Sequence, residues 1–210
     1  MRYTDCIETR RQGRIGHVGN AENDRRPGRP RRSETDSRIL EATRALVREH
    51  GPEAVNIAAV SARSGAARTT IYRRYVDRQA LLGAAFETVT RRGGPPPGDS
   101  LEDKLAWLLA RAEEVLRDGI GAGGVAALLS GEDPDFVAAV RRALAVGLQP
   151  VTEQVAHDAA NGVLSGDVDP DTLVNLVLGV YLGEALRHGA PDLPWRARTA
   201  KQLAALLAPE

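Results

Sequence analysis

With 210 residues, 42% of them hydrophobic and 27% charged, the chain has room for one large domain or two small ones and the composition of an ordinary soluble protein. An aromatic content of 4% argues against a sandwich or barrel, and a single cysteine excludes a disulfide framework or a zinc cluster. No apolar run reaches the roughly 18 residues that span a bilayer, and the first thirty residues carry no signal-like apolar core, so a cytoplasmic protein without a membrane partner is expected.

The net charge of zero conceals a division. Residues 1–92 hold 19 Arg and no Lys against 11 acids, a surplus of +8, whereas residues 93–210 hold 9 basic residues against 17 acids, a deficit of −8. A basic N-terminal half suits a polyanionic partner, and an acidic C-terminal half does not. Arginine count alone decides nothing, because Lys104 and Lys201 are the chain's only lysines and arginine is its habitual cation.

In chain order, residues 1–32 read as a disordered basic arm, polar and without periodicity. From Ser33, helical spacing of Ile39, Thr43, Leu46 and Val47 predicts a first helix, stopped by His50-Gly51-Pro52. Asn56 can cap a short second helix that ends at Ser64-Gly65, and a third follows over Arg68–Tyr75. A fourth begins after Asp77 with Leu81, Leu82, Ala85, Phe86 and Val89 on one stripe. The run RRGGPPPG at 91–98 interrupts any helix, which places a domain boundary between 92 and 93.

Beyond it, Asp99-Ser100 opens a helix to about Asp118, and GAGGVAALLSG allows a short one. Asp133-Pro134 and Asp169-Pro170 each pair a capping acid with proline at the first helical position. The first of these helices continues past Pro150 with a kink to about Asn161, and the second runs to about His188. Pro194 starts the last. No strand and no repeat is found, so the fold class is all-α, with units at 1–32, 33–92 and 93–210.

On a wheel of about 100° per residue, Ile71 and Tyr75 form one apolar face of the third helix. Thr69 and Arg73 stand opposite, Thr70 and Tyr72 flank them, and Arg68 lies at the N-terminal end. Such a polar short helix must dock its apolar face on its neighbours. Its outer face has the chemistry of a major-groove reader: arginine for guanine, threonine for a thymine methyl, and flanking hydroxyls for phosphate oxygens.

The stretch RILEATRALVREHGPEAVNIAAVSARSGAARTTIYRRYVDRQALLGAAF resembles the N-terminal domain of TetR-family transcriptional regulators. The likeness rests on Ile39-Leu40, Glu49-His50-Gly51, Ile57-Ala58, Gly65, Thr70-Ile71-Tyr72, Tyr75, Asp77-Arg78 and Leu81-Leu82. It implies a helix-turn-helix DNA-binding domain joined to a helical effector-binding and dimerisation domain. The implied recognition helix spans 67–75, with a phosphate contact at Tyr72 and another at Arg78, where the family usually has lysine. Asn56, at the start of the second helix, joins the expected DNA-side residues. One departure is Ala67, where the family has a capping Ser or Thr; alanine cannot accept the N2 or N3 amide proton and leaves those amides for a phosphate instead.

RRPGRPRR at 25–32 adds Arg29 and Arg31, whose Gly-Arg-Pro setting resembles the minor-groove motif of AT-hook peptides, although phosphate contact alone would also use these charges. Catalysis finds little support. None of His17, His50, His157 and His188 has a His or carboxylate partner at a metal-binding helical spacing that looks deliberate, and the glycine-rich stretch at 119–124 lacks the strand and lysine of a phosphate loop. No cofactor is expected.

LVNLVLGVYLGEAL is apolar on nearly every side, with Gly179 and Gly183 four apart, and the last helix offers Ala200, Leu203, Leu206 and Leu207. These helices suit a four-helix homodimer interface, which would present two recognition helices to a palindromic operator in double-stranded DNA. The implied effector is a small molecule, with Trp107, Phe136 and Tyr181 as pocket candidates. The expected function is transcriptional regulation, most readily repression relieved by that effector. The alternative is a small-molecule-binding or enzymatic helical protein with no DNA-binding role.

Overall fold

The computed structural model describes residues 30–91 and 98–209, and among these every regular element is helical. Helices α1 (Pro30–His50), α2 (Ile57–Ser64), α3 (Arg68–Arg74) and α4 (Arg78–Thr90) form the N-terminal group, with a single 3₁₀ turn at Pro52–Ala54. Helices α5 (Leu101–Glu113), α6 (Gly121–Ser130), α7 (Pro134–Ala160), α8 (Pro170–His188) and α9 (Leu193–Leu207) follow. Helix α1 begins at Pro30, three residues before the predicted start at Ser33. Proline fits a first turn because its fixed φ is already helical and its missing N–H would have no helical partner there. Residues 30–32 are thus helix rather than arm; residues 1–29 and the 92–97 part of the predicted break lie outside the described residues.

Cap chemistry sets most other boundaries as the spacing predicts. Asn56, Asp77, Ser100, Asp133, Asp169 and Asp192 each accept a backbone N–H from the residue three ahead. Gly65 ends α2 at φ 69°, the left-handed conformation that glycine adopts without a Cβ penalty.

The predicted stripes are the observed core. Ile39, Thr43, Val47, Leu81, Leu82 and Ala85 are fully buried. Arg44, also buried, stitches α1 to α4 by donating to Ala85 O at 2.9 Å and Thr88 Oγ1 at 2.6 Å while pairing with Glu41. The core of α1–α4 is completed from further along the chain. Phe136 meets Phe86 edge-to-face at 5.5 Å between centroids, and Val140 and Ala143 continue the same face of α7. The far half of α7 contributes Val155 to a second core with Leu105, Leu109, Leu173, Val177, Trp195 and Leu203. One long helix therefore serves both cores, and it runs unbroken through Pro150 where a kink is expected.

The glycine-rich stretch has a packing role. The helix predicted to reach Asp118 leaves α geometry after Glu113 and passes through a π turn at Glu114–Ile120. A Cβ on Gly119 would stand 2.7 Å from Val89 Cγ1, and one on Gly121 would stand 2.6 Å from Arg48 Cγ and 3.0 Å from Arg48 Cα. Only glycine lets this backbone lie against α1 and α4, which explains the run without any phosphate loop.

Candidate nucleic-acid interface and regulatory cavity

Helix α3 is held from one side. Ile71 is fully buried and Tyr75 half-buried, where desolvation pushes its hydroxyl pKa up. On the other side Arg68, Thr69, Tyr72 and Arg73 are exposed, Tyr72 to 58%, and Thr70 is intermediate. Helix α2 supports this presentation: Ser61 Oγ donates to Ala66 O at 2.8 Å across the turn, and Arg63 pairs with Glu49 of α1. The five expected α3 residues are thus brought together on one outward surface.

Other expected contacts sit differently. Arg78 is committed within the protein. It donates to Val55 O at 2.9 Å and Pro52 O at 2.6 Å, and its Nη2 lies 2.5 Å from Asp133 Oδ2. The guanidinium holds the Asp133 carboxyl below the usual aspartate range. A phosphate at this position would have to compete for the same fork with the acid that caps α7. Asn56 Oδ1 accepts the Ala59 amide at 2.9 Å, so the Asn56 side chain serves as a cap. Arg29 lies outside the described residues, and Arg31 falls in the first turn of α1 instead of an extended segment, with its side chain outside them too.

Arg38, on α1, was not expected. It is exposed, and a methyl added to Gly65 would lie 4.0 Å from its Nη1, which puts its charge beside the α2–α3 turn. No motif spacing carries that signal, because it arises only when α1 folds across the turn. Arg74 turns the opposite way and pairs with Asp36 of α1.

Ala67 makes no side-chain cap although its backbone has the extended cap conformation, φ −60° and ψ 141°. Ala67→Ser supplies the missing acceptor. A gain of about 1 kcal/mol is expected, or a Tm rise of about 2–4 °C for a chain of this size, measured by thermal unfolding.

A second feature lies between α5, α7 and α8, a cavity of about 430 Å³. Leu105, Leu108, Val151, Val155 and Val177 give it apolar walls, and Trp107 joins them as expected. Phe136 and Tyr181 do not line it. Phe136 is fully buried against Phe86, and Tyr181 is buried in the second core. Large side chains serve packing before lining, and the walls are built mainly from Leu and Val. One end carries Lys104 and Asp158, 2.7 Å apart, with Gln154 donating to the same Asp158 oxygen at 3.0 Å. Arg111 stands at the other end, donating to Val89 O at 3.0 Å and Thr90 O at 3.4 Å and pairing with Glu114. Among the described residues no cluster could hold a metal ion, and no helix is long and apolar enough to cross a membrane.

Residues 39–85 match the family of bacterial regulatory proteins, tetR family. Curated relatives include the uncharacterized HTH-type transcriptional regulator Mb1581 of Mycobacterium bovis, 32% identical over 46% of this chain and 46% of its own length. The HTH-type transcriptional repressor KstR of Rhodococcus jostii is 34% identical over 40% of this chain and 42% of its own. The chain thus spans about half the length of these relatives. A TetR-family regulator from Rhodococcus sp. superposes with a TM-score of 0.67 over 83% of this chain and 98% of its own, at 20% identity, and so shares the fold. The matched segment coincides with the helices that carry the outward α3 face, so residues 39–85 carry a helix-turn-helix domain of the tetR family.

Proposed function

We propose that the chain is a homodimeric, sequence-specific DNA-binding transcriptional regulator, a cytoplasmic repressor released by a small-molecule effector. The observation that carries this reading is the exposed Thr69, Tyr72 and Arg73 face of α3 above a fully buried Ile71. Thr69 and Arg73 meet base edges in the major groove, while Tyr72, Arg68 and Thr70 meet phosphates. Arg38, beside the turn, adds a phosphate contact from α1.

Dimerisation is supported by the apolar surface that α8 and α9 leave uncovered. Leu176 is 40% exposed, Leu186 87% and Leu206 78%. A methyl at Gly179 or Gly183 would meet nothing within 4 Å, so both small residues leave open surface. A two-fold copy docked there buries these side chains and gives two α3 helices for a palindromic operator. The cavity between α5, α7 and α8 takes the effector. It adjoins the C-terminal end of α4, the helix that packs against both α1 and α7.

A gel shift with the DNA upstream of the gene tests the reading. A discrete complex at low ionic strength, lost with Thr69→Ala/Arg73→Ala, is expected. An unshifted probe overturns it and favours the alternative of a helical small-molecule protein.

A further inference from the structure

We infer that the effector is an anionic amphiphile, an apolar chain ending in a carboxylate, and that Arg111 takes its headgroup at the end of the cavity nearest α4. The inference rests on the cavity being the effector site. Three basic side chains line it, Arg91, Lys104 and Arg111, against one lining acid, Asp158, while Arg91 and Arg111 pair with Glu87 and Glu114 outside the lining. An apolar tube whose lining arginines hold partners able to return to water takes a negative head in their place and offers a positive one no counter-charge but the buried Asp158.

Which cation is available follows from its partners. Lys104 is paired to an Asp158 side chain only 7% exposed, which Gln154 also bonds. Drawing the ammonium away would strand a buried carboxylate without its counter-charge, a heavy penalty. Arg111 is paired to Glu114, whose side chain is 40% exposed and can return to water. Its side chain is 14% exposed, and its guanidinium is planar and forked, matched to a carboxylate in a bidentate contact. Lys104 and Arg111 are seven residues apart on α5, about 10 Å along the helix, with Leu105 and Leu108 between them. That length suits a medium-length acyl chain.

Arg111 also has a structural duty. Its Nη2 holds the carbonyls of Val89 and Thr90, the last residues of α4. A bound carboxylate competes for those donors and loosens the C-terminal end of α4. Gly147, which also lines the cavity, presses on the same place, because a Cβ there would lie 2.3 Å from Thr90 Cβ. Effector occupancy therefore bears on the helix whose N-terminal Arg78 locks the loop before α2.

The test compares decanoate, decanol and decylamine on the full chain by thermal shift, titration and DNA-binding anisotropy. Decanoate is expected to bind at least tenfold more tightly than decanol, to release DNA, and to lose at least tenfold in affinity with Arg111→Gln. Decanol binding is expected to be unchanged by Arg111→Gln, because an alcohol brings no charge to the guanidinium. A merely structural Arg111 would lower the melting temperature of the unliganded variant and leave its decanoate affinity intact, which overturns the inference. Equal or tighter binding of decylamine or decanol overturns it as well. If their binding is abolished by the cavity-filling Val151→Trp, the cavity remains the effector site and only the headgroup assignment falls. If none of the three binds while the chain still binds DNA, the assignment falls and the DNA-binding reading stands.

Discussion

Arg73→Ala is expected to weaken binding to a selected operator by about 10- to 100-fold, the loss of one bidentate base contact worth about 1–3 kcal/mol. Binding-site selection with the variant should also return a consensus relaxed at one position in each half-site. Arg73 is exposed on α3, opposite the fully buried Ile71, so its removal leaves the fold unaltered. Thermal unfolding checks this point: the melting temperature should stay within a degree or two of the parent. Tyr72→Phe provides the contrast. Removing a phosphate-directed hydroxyl should weaken binding on all sequences alike without changing the consensus. A parent consensus retained by Arg73→Ala would remove Arg73 from the readout.

Arg78→Ala is expected to destabilise the protein by about 2–3 kcal/mol, less than the 3–5 kcal/mol typical of a broken, fully buried ion pair because the guanidinium side chain is 28% exposed. The substitution strands three acceptors at once: the carbonyls of Pro52 and Val55 and the carboxylate of Asp133. It also frees the loop before α2, so DNA affinity should fall through the loss of these internal bonds as well as of the charge. Asp133→Asn separates the effects, since asparagine retains the cap on α7 and loses the charge.

The pH dependence has a definite sign. The Asp133 carboxyl is held low in the folded protein, chiefly by its hydrogen bond from Arg78 and with a contribution from the Phe136 amide. Its stabilisation is therefore complete above the unfolded-state value of about 3.9 and is lost as pH falls from there through the folded-state value. Urea unfolding of the parent should show that acid loss, and Asp133→Asn should show less of it. An identical acid profile in the two proteins would contradict the role given to this pair.

The N-terminal group was legible because its signals are local. Asn56 and Asp77 cap where the spacing places them, Gly65 turns left-handed, and the stripe from Leu81 to Val89 is buried residue for residue. What stayed hidden depends on distant parts of the chain. Asp133 lies 55 residues from Arg78, and nothing in either neighbourhood marks the partner. Phe136 reads as a ligand candidate because it is large and lies in the acidic half, yet the place it fills is the gap beside Phe86. The cavity walls are Leu and Val, residue types that carry no signature of lining. Pro30 belongs to α1 although RRPGRPRR reads as a basic arm, because the first residue of capping type after that run is Ser33.

The most direct measurement is titration of the purified chain onto a duplex carrying the selected palindrome, in parallel with the Thr69→Ala/Arg73→Ala variant, across a salt series. Two chains per duplex are expected, with log affinity falling linearly as log salt rises and with preference over scrambled DNA lost in the variant. A chain that ignores the duplex at low ionic strength, or a variant that discriminates as well as its parent, would contradict the assignment of α3 as the reading surface.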